Sequence, residues 1–414
     1  MILKLAYKSL LNRKASVVLT LFSMTVSLCL LISVEHIRSQ AKESFHRTVS
    51  SVDLIVGART GQLNLMLYSI FRMGNATNNV SWQSYNDISN QSDVVWSVPL
   101  SLGDSHRGYR VLGTNLDYFE FYRYSDKRPL EFEHGKAFSS PFDAVLGAEV
   151  AKALNYSVGK RITLSHGIGQ VSFSNHDNAP FEVVGVLAPT GTPVDRTVHV
   201  SLAGLEAVHM PPSQLMALKN AVESGQHIDV QPTSITAFML GLKSKMSIFK
   251  VQRAINNNPT EPLMAVLPGV ALVELWALIS SVENILRIIS VCVFISAILG
   301  LTTMLLSSMR ERQKEIAVLR AIGAGPFVLF ALIQLEALLL TVTATAVSLA
   351  VVWGLFYSAS DILASQYGVF VSSNIFSVSQ FIQLAVAIGI TSIVALLPSV
   401  SAYRKALHVG LSPS

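Results

Sequence analysis

Met309-Arg-Glu-Arg-Gln-Lys-Glu-Ile-Ala-Val-Leu-Arg-Ala-Ile-Gly-Ala-Gly-Pro326 is a short charged segment caught between two long apolar runs. As a helix it is basic and polar through Lys314, then turns Ile316, Leu319 and Ile322 to one side. It stops at Gly323 and Gly325 before Pro326 opens the next helix. Such a segment is a hairpin connector between two membrane spans. Arg310, Arg312, Lys314 and Arg320 outnumber Glu311 and Glu315, and an excess of Lys and Arg keeps a connector cytoplasmic.

Working outward, apolar runs at 15–34, 288–309, 326–356 and 381–398 each supply the roughly 20 residues that cross a bilayer. The 357–380 connection has Asp361 and no Lys or Arg, whereas the 399–414 tail has Arg404 and Lys405 and no acid. Residues 1–14 carry Lys4, Lys8, Arg13 and Lys14 among Ile2, Leu3, Leu5, Leu10 and Leu11, the pattern of an amphipathic interfacial helix. The apolar run behind it is too long for a cleavable leader and has no small-x-small site before Glu35, so a permanent anchor is expected. Both termini and the 310–325 connector are then cytoplasmic, with 35–280 and 357–380 outside.

Half the residues are apolar, 14% are charged and mean hydropathy is +0.46. That is too apolar for a soluble chain and too polar for one lying wholly in lipid. The net charge of +5 sits mostly beside the apolar runs, so it reflects topology and implies no nucleic-acid partner. Cys29 and Cys292 both lie inside apolar runs and cannot staple an outer domain or build a zinc ribbon.

The 35–280 loop mixes apolar runs with turn chemistry, which predicts a folded domain. Residues 35–51 extend the first span as a polar stalk, and 269–287 run helically into the second. Strands are expected at 51–57, 93–102, 109–113, 144–147, 161–165, 180–188 and 197–200. Strand 234–242, helix 247–256 and strand 263–266 form a β-α-β unit. The expected class is an α-helical membrane protein with four transmembrane helices and a large α+β extracytoplasmic domain inserted between helices 1 and 2. Its helices are expected on one face of a mixed sheet.

The order Arg-Glu-Arg-Gln-Lys-Glu-Ile-Ala-Val-Leu-Arg-Ala-Ile-Gly-Ala resembles the coupling loop of ABC permeases of the MacB, LolC/LolE and FtsX superfamily. Val145 to Leu154, Val158-Gly-Lys-Arg-Ile-Thr-Leu164 and Phe181 to Leu187 resemble the MacB-type periplasmic core. Leu10-Leu-Asn-Arg-Lys14 and Leu397 to Leu407 resemble the family's entry and exit segments. Asp53 to Ala58 and Ala188-Pro-Thr-Gly-Thr-Pro-Val-Asp-Arg196 resemble one branch of it. The resemblance implies a permease subunit in the bacterial cytoplasmic membrane, coupling ATP hydrolysis on a separate ATPase dimer to periplasmic domain motion. ATP and Mg would be cofactors of that partner, with none in this chain. Arg310, Arg312, Glu315, Ile316, Leu319 and Arg320 would be the ATPase-coupling surface. A second permease copy is implied, a homodimer in preference to a heterodimer, with membrane lipid and a periplasmic adaptor, lipoprotein or hydrolase as further partners. The alternative within the resemblance is an FtsX-like scaffold that activates a cell-wall hydrolase and transports nothing.

No G-x-x-x-x-G-K-[ST] or G-x-S-x-G occurs, so no enzyme activity is expected of this chain. Glu336 is the one charge deep in any span; it is either functional or paired with a cation at the membrane edge. His166, His176 and Asp177 are residue types that ligate zinc. Their irregular spacing in a Gly-rich loop makes incidental histidines the expectation, and no metal.

Overall fold

The structure, a computed structural model, describes residues 2–48, 51–125, 127–167, 178–224, 230–311, 323–362 and 377–408. It divides into two compact units, one holding residues 42–278 and 364–370 and the other the rest. The helices are α1 (Ile2–Leu11), α2 (Lys14–Thr48), α3 (Gln62–Ser69), α4 (Trp82–Ser89), α5 (Asp117–Phe121), α6 (Ala148–Leu154), α7 (Leu202–Val208), α8 (Pro212–Glu223), α9 (Ile248–Asn256), α10 (Pro268–Glu311), α11 (Pro326–Ile362), α12 (Val378–Val394) and α13 (Leu396–His408). The principal strands are β1 (Leu54–Ala58), β2 (Val94–His106), β3 (Tyr109–Thr114), β4 (Phe132–Gly135), β5 (Asp143–Leu146), β6 (Arg161–Ile162), β7 (Ser165–His166), β8 (Phe181–Leu187), β9 (Thr197–Ser201), β10 (Ala237–Leu242) and β11 (Leu263–Val266).

All eleven strands join one mixed sheet in the order β11-β1-β10-β2-β3-β9-β5-β8-β4, with β7 on β2 and β6 on β8. Strands β10 and β11 both run antiparallel to β1, which lies between them. The expected β-α-β unit is therefore present with a third strand inserted. Its helices, however, are not confined to one face. Every residue of β1 is buried: Ile55 packs with Leu65, Met66 and Tyr68 of α3, while Leu54 and Val56 pack with Tyr85, Val251 and Ile255 of α4 and α9. A strand covered on both sides needs a continuous apolar run instead of alternation, and Leu54-Ile55-Val56 is such a run.

On the outer edge of this end of the sheet, Ala265 is met by side chains. Gln252 Nε2 donates to the Ala265 carbonyl at 3.0 Å, and the Ala265 amide donates to Asn256 Oδ1 at 2.7 Å. Both partners come from α9, so the helix that covers one face also satisfies the edge.

Among the described residues four helices are long and apolar enough to cross a bilayer: Lys14–Gln40, Pro268–Ser308, Pro326–Ala359 and Gln380–Ser401. Large apolar side chains such as Leu19, Phe22, Ile289, Ile295, Ile382 and Ile393 are exposed, the surface a lipid solvent requires. Met24, Leu28, Phe294, Leu301, Ile333, Leu340 and Leu384 form the interior. The last span breaks at Ala395, between α12 and α13. Pro398 has no N–H for the carbonyl four residues back, and the Ser399 hydroxyl bonds Ala395 O at 2.8 Å there.

Candidate functional site

The charged connector meets the structure at its two ends. Helix α10 is described as far as Glu311 and includes Arg310; Arg312, Glu315, Ile316, Leu319 and Arg320 lie outside the described residues. At the far end Gly323 has φ +95, the left-handed conformation that a helix stop favours and that glycine adopts without strain. Pro326 is the first residue of α11, as expected for a helix-starting proline.

Glu336 on α11 is 1% exposed. Ser9 Oγ of α1 donates to its Oε1 at 2.5 Å, and the Arg13 guanidinium stands 3.9 Å from its Oε2. Arg13 also donates to Ser9 Oγ at 3.2 Å, so carboxylate, hydroxyl and guanidinium form one buried relay. The cation pairing, one of the two readings open in the sequence, is present in this geometry. Ala6 and Leu10 are buried beside Ser9; α1 thus packs one face inside the unit in addition to presenting a basic surface.

Two further polar contacts tie the spans together. Gln380 Nε2 lies 3.2 Å from His36 Nδ1, with the Phe356 ring 4.8 Å from the same imidazole and tilted 55° to it. Gln334 donates to Ser392 O at 2.8 Å and accepts from Ser399 Oγ at 3.2 Å, bracketing the break at Ala395. These contacts join helices by hydrogen bonds that lipid cannot compete for.

In the outer domain, Ala188 to Arg196 folds into a loop bonded to itself. The Asp195 carboxylate accepts from the Thr190 and Gly191 amides and from Thr190 Oγ1, at 2.7–3.0 Å. Burial raises its pKa, opposed by those donors. This segment holds itself in shape and offers no reactive group.

His176 and Asp177 lie outside the described residues, whereas His166 stands beside two partners that the sequence pattern did not single out. Opposite it in the β7–β2 register is Asp104, with His166 Nδ1 2.9 Å from Asp104 Oδ1. His209, the residue that ends α7, points its Nε2 at Asp104 Oδ2 across 3.6 Å. A β-bulge places the carboxylate: between Leu102 and Ser105 the β2–β3 register shifts by one residue, and a bulge re-aims the side chain it carries. Asp104 is 3% exposed, and among the described residues its Oδ2 has no hydrogen-bond partner. Facing Asp104 raises the pKa of His209, against a lowering from burial. Asp104 lies in the polar end of its strand, beside Ser105 and His106, and neither it nor His209 carried a local signal.

Residues 17–258, more than half the chain, match the MacB-like periplasmic core domain, and residues 287–407 match the FtsX-like permease C-terminal domain. No curated protein matches. Among solved structures, the periplasmic region of MacB from Actinobacillus actinomycetemcomitans aligns at 12% identity with a TM-score of 0.35, over 55% of this chain and 94% of its own. The extracellular domain of the noncanonic ABC-type transporter YknZ from Gram-positive bacteria aligns at 13% identity with a TM-score of 0.30, over 53% and 99%. The chain belongs to the MacB/FtsX superfamily of ABC permeases, as a multi-pass membrane subunit with a MacB-type periplasmic core domain after its first span.

Proposed function

We propose that this permease works as a mechanical transmitter, converting ATP hydrolysis on a separate ATPase dimer into motion of the periplasmic domain. Two copies of the chain supply eight spans, with both termini and the 310–325 connector on the cytoplasmic side. The observation that carries the reading is helix length. A span needs about 20 residues, yet α2 has 35 and α10 has 44 without a break. The surplus continues each span as helix beyond the bilayer thickness, which suits transmission of force along a helix axis. Glu336, the one buried carboxylate of the described spans, is engaged by Ser9 and Arg13.

Coupling then rests on 310–320 docking into the ATPase. Burying Ile316 and Leu319 there is worth about 1.5–3 kcal/mol each, whereas a solvated rim charge contributes roughly 0–1 kcal/mol. Leu319→Asp or Ile316→Asp therefore abolishes co-purification of the ATPase at normal membrane abundance of the permease, and Arg312→Ala does much less. Wild-type association of the Asp variants would make the connector merely topogenic. Purification of the native chain with no ATPase would end the reading altogether.

A further inference from the structure

We propose that Asp104, His166 and His209 form a binding site for a divalent first-row transition-metal cation, with Zn2+ the best fit. One ligand atom from each residue lies within 4.8 Å of the other two. Two imidazoles and one carboxylate are a donor set suited to zinc and leave a tetrahedral ion one open position.

Three features beyond proximity point to a ligand. The first is the tautomer of His209. Its Nδ1 lies 2.8 Å from the Leu205 carbonyl, and a carbonyl only accepts, so Nδ1 carries a proton. Nε2 is the atom turned towards Asp104; its proton is the one an ion would displace, which leaves Nε2 as the ligand nitrogen. A backbone carbonyl that fixes the far nitrogen is the usual support of a metal-bound histidine. The second is the spacing. An ion about 2.0–2.2 Å from each donor holds tetrahedral neighbours roughly 3.4 Å apart. Asp104 Oδ2 and His209 Nε2 are 3.6 Å apart, too long for a good hydrogen bond but close to a coordination edge. His166 Nδ1, at 2.9 Å from Asp104 Oδ1, completes a trio whose ligand atoms lie within 4.8 Å of one another and must draw together to hold one ion.

The third is Asp104 itself. A buried carboxylate oxygen with no donor among the described residues costs free energy unless something else compensates it. Asp104 Oδ2 is in that position, aimed into the gap between the imidazoles. A cation there would satisfy it and would bridge β2, β7 and the end of α7. The two histidines are 47% and 40% exposed, so the ion enters from solvent and exchanges with it.

The test uses the full-length protein in detergent, stripped with a chelator and titrated with Zn2+ against a chromophoric competitor. One Zn2+ binds per chain, and His166→Gln, His209→Gln and Asp104→Asn each weaken it at least tenfold. Zn2+ raises the unfolding temperature of the wild-type protein and not of the three variants. Co2+ in place of Zn2+ gives the visible absorption of a four-coordinate site. His134→Gln, at an exposed histidine of β4, keeps wild-type affinity. Should buried Asp104→Asn fail to fold, the two half-exposed histidine variants still decide the matter. Zn2+ binding no tighter to wild type than to His166→Gln and His209→Gln overturns the proposal, as does retention of the site in both.

Discussion

His199 lies on β9 fully buried against Tyr118 and Phe119, at ring distances of 5.3 and 6.0 Å. Its Nδ1 lies 3.3 Å from Val145 O, and among the described residues its Nε2 has no hydrogen-bond partner. Burial, helped by the charge of Arg72, pulls its pKa down to about 3, so the folded domain holds it neutral. An unfolded histidine titrates near 6.5. Below that pH the unfolded chain binds a proton that the folded chain refuses. The stability present above about pH 6.5 is therefore lost as pH falls, by about 1.4 kcal/mol per unit until the folded pKa is reached. His199→Leu should flatten this dependence between pH 6.5 and 5, read as the unfolding midpoint in denaturant at each pH; an unchanged slope would mean that another group dominates. At this scale the sequence was least legible. His166 could be picked out by residue type, but Asp104 and His209 reach it only through a strand register, a bulge and a helix end.

Helices α1 and α11 are joined at Ser9, Arg13 and Glu336, and a pair sealed between elements behaves differently from a surface ion pair. Removing one partner strands the other charge in a low-dielectric interior, whereas replacing both with apolar groups is often tolerated. Arg13→Met should lower stability by about 3 kcal/mol, and Arg13→Met combined with Glu336→Leu should recover part of that loss. The measurement is the aggregation temperature of the detergent-solubilised protein; a double variant no better than the sum of the singles would show that the two residues do not act as a pair. Elements with long periodic patterns were legible: both extended helices and β1, β8, β10 and β11 fall where turn chemistry and apolar runs place them. Short ones were not. Helix α5 and strand β4 went unread because five or four residues, several charged, carry no period. The strand expected at 161–165 divides into β6 and β7, which pair with different neighbours, and propensity cannot register a choice made by tertiary pairing.

For the whole molecule, the layout of four spans and one large insertion was legible because apolar length and turn chemistry are properties of the chain itself, whereas the covering of both sheet faces depends on which helices fold back where. The charge asymmetry at the span ends predicts a membrane orientation with both termini cytoplasmic. A reporter active only outside the cytoplasm should work when fused after Ser125 or Gln366 and fail after Ala324; activity at Ala324 would invert the assignment. One detail of the sheet bears on life in a crowded envelope. An open strand edge is a template on which another chain can add itself, the first step towards aggregation or fibre growth. At Ala265 both slots of that template are filled by Gln252 and Asn256, whose amides imitate the backbone of a strand that is not there. A foreign strand must first break two formed bonds and lift α9 off the core, so this end of the domain can move past other proteins without being captured by them.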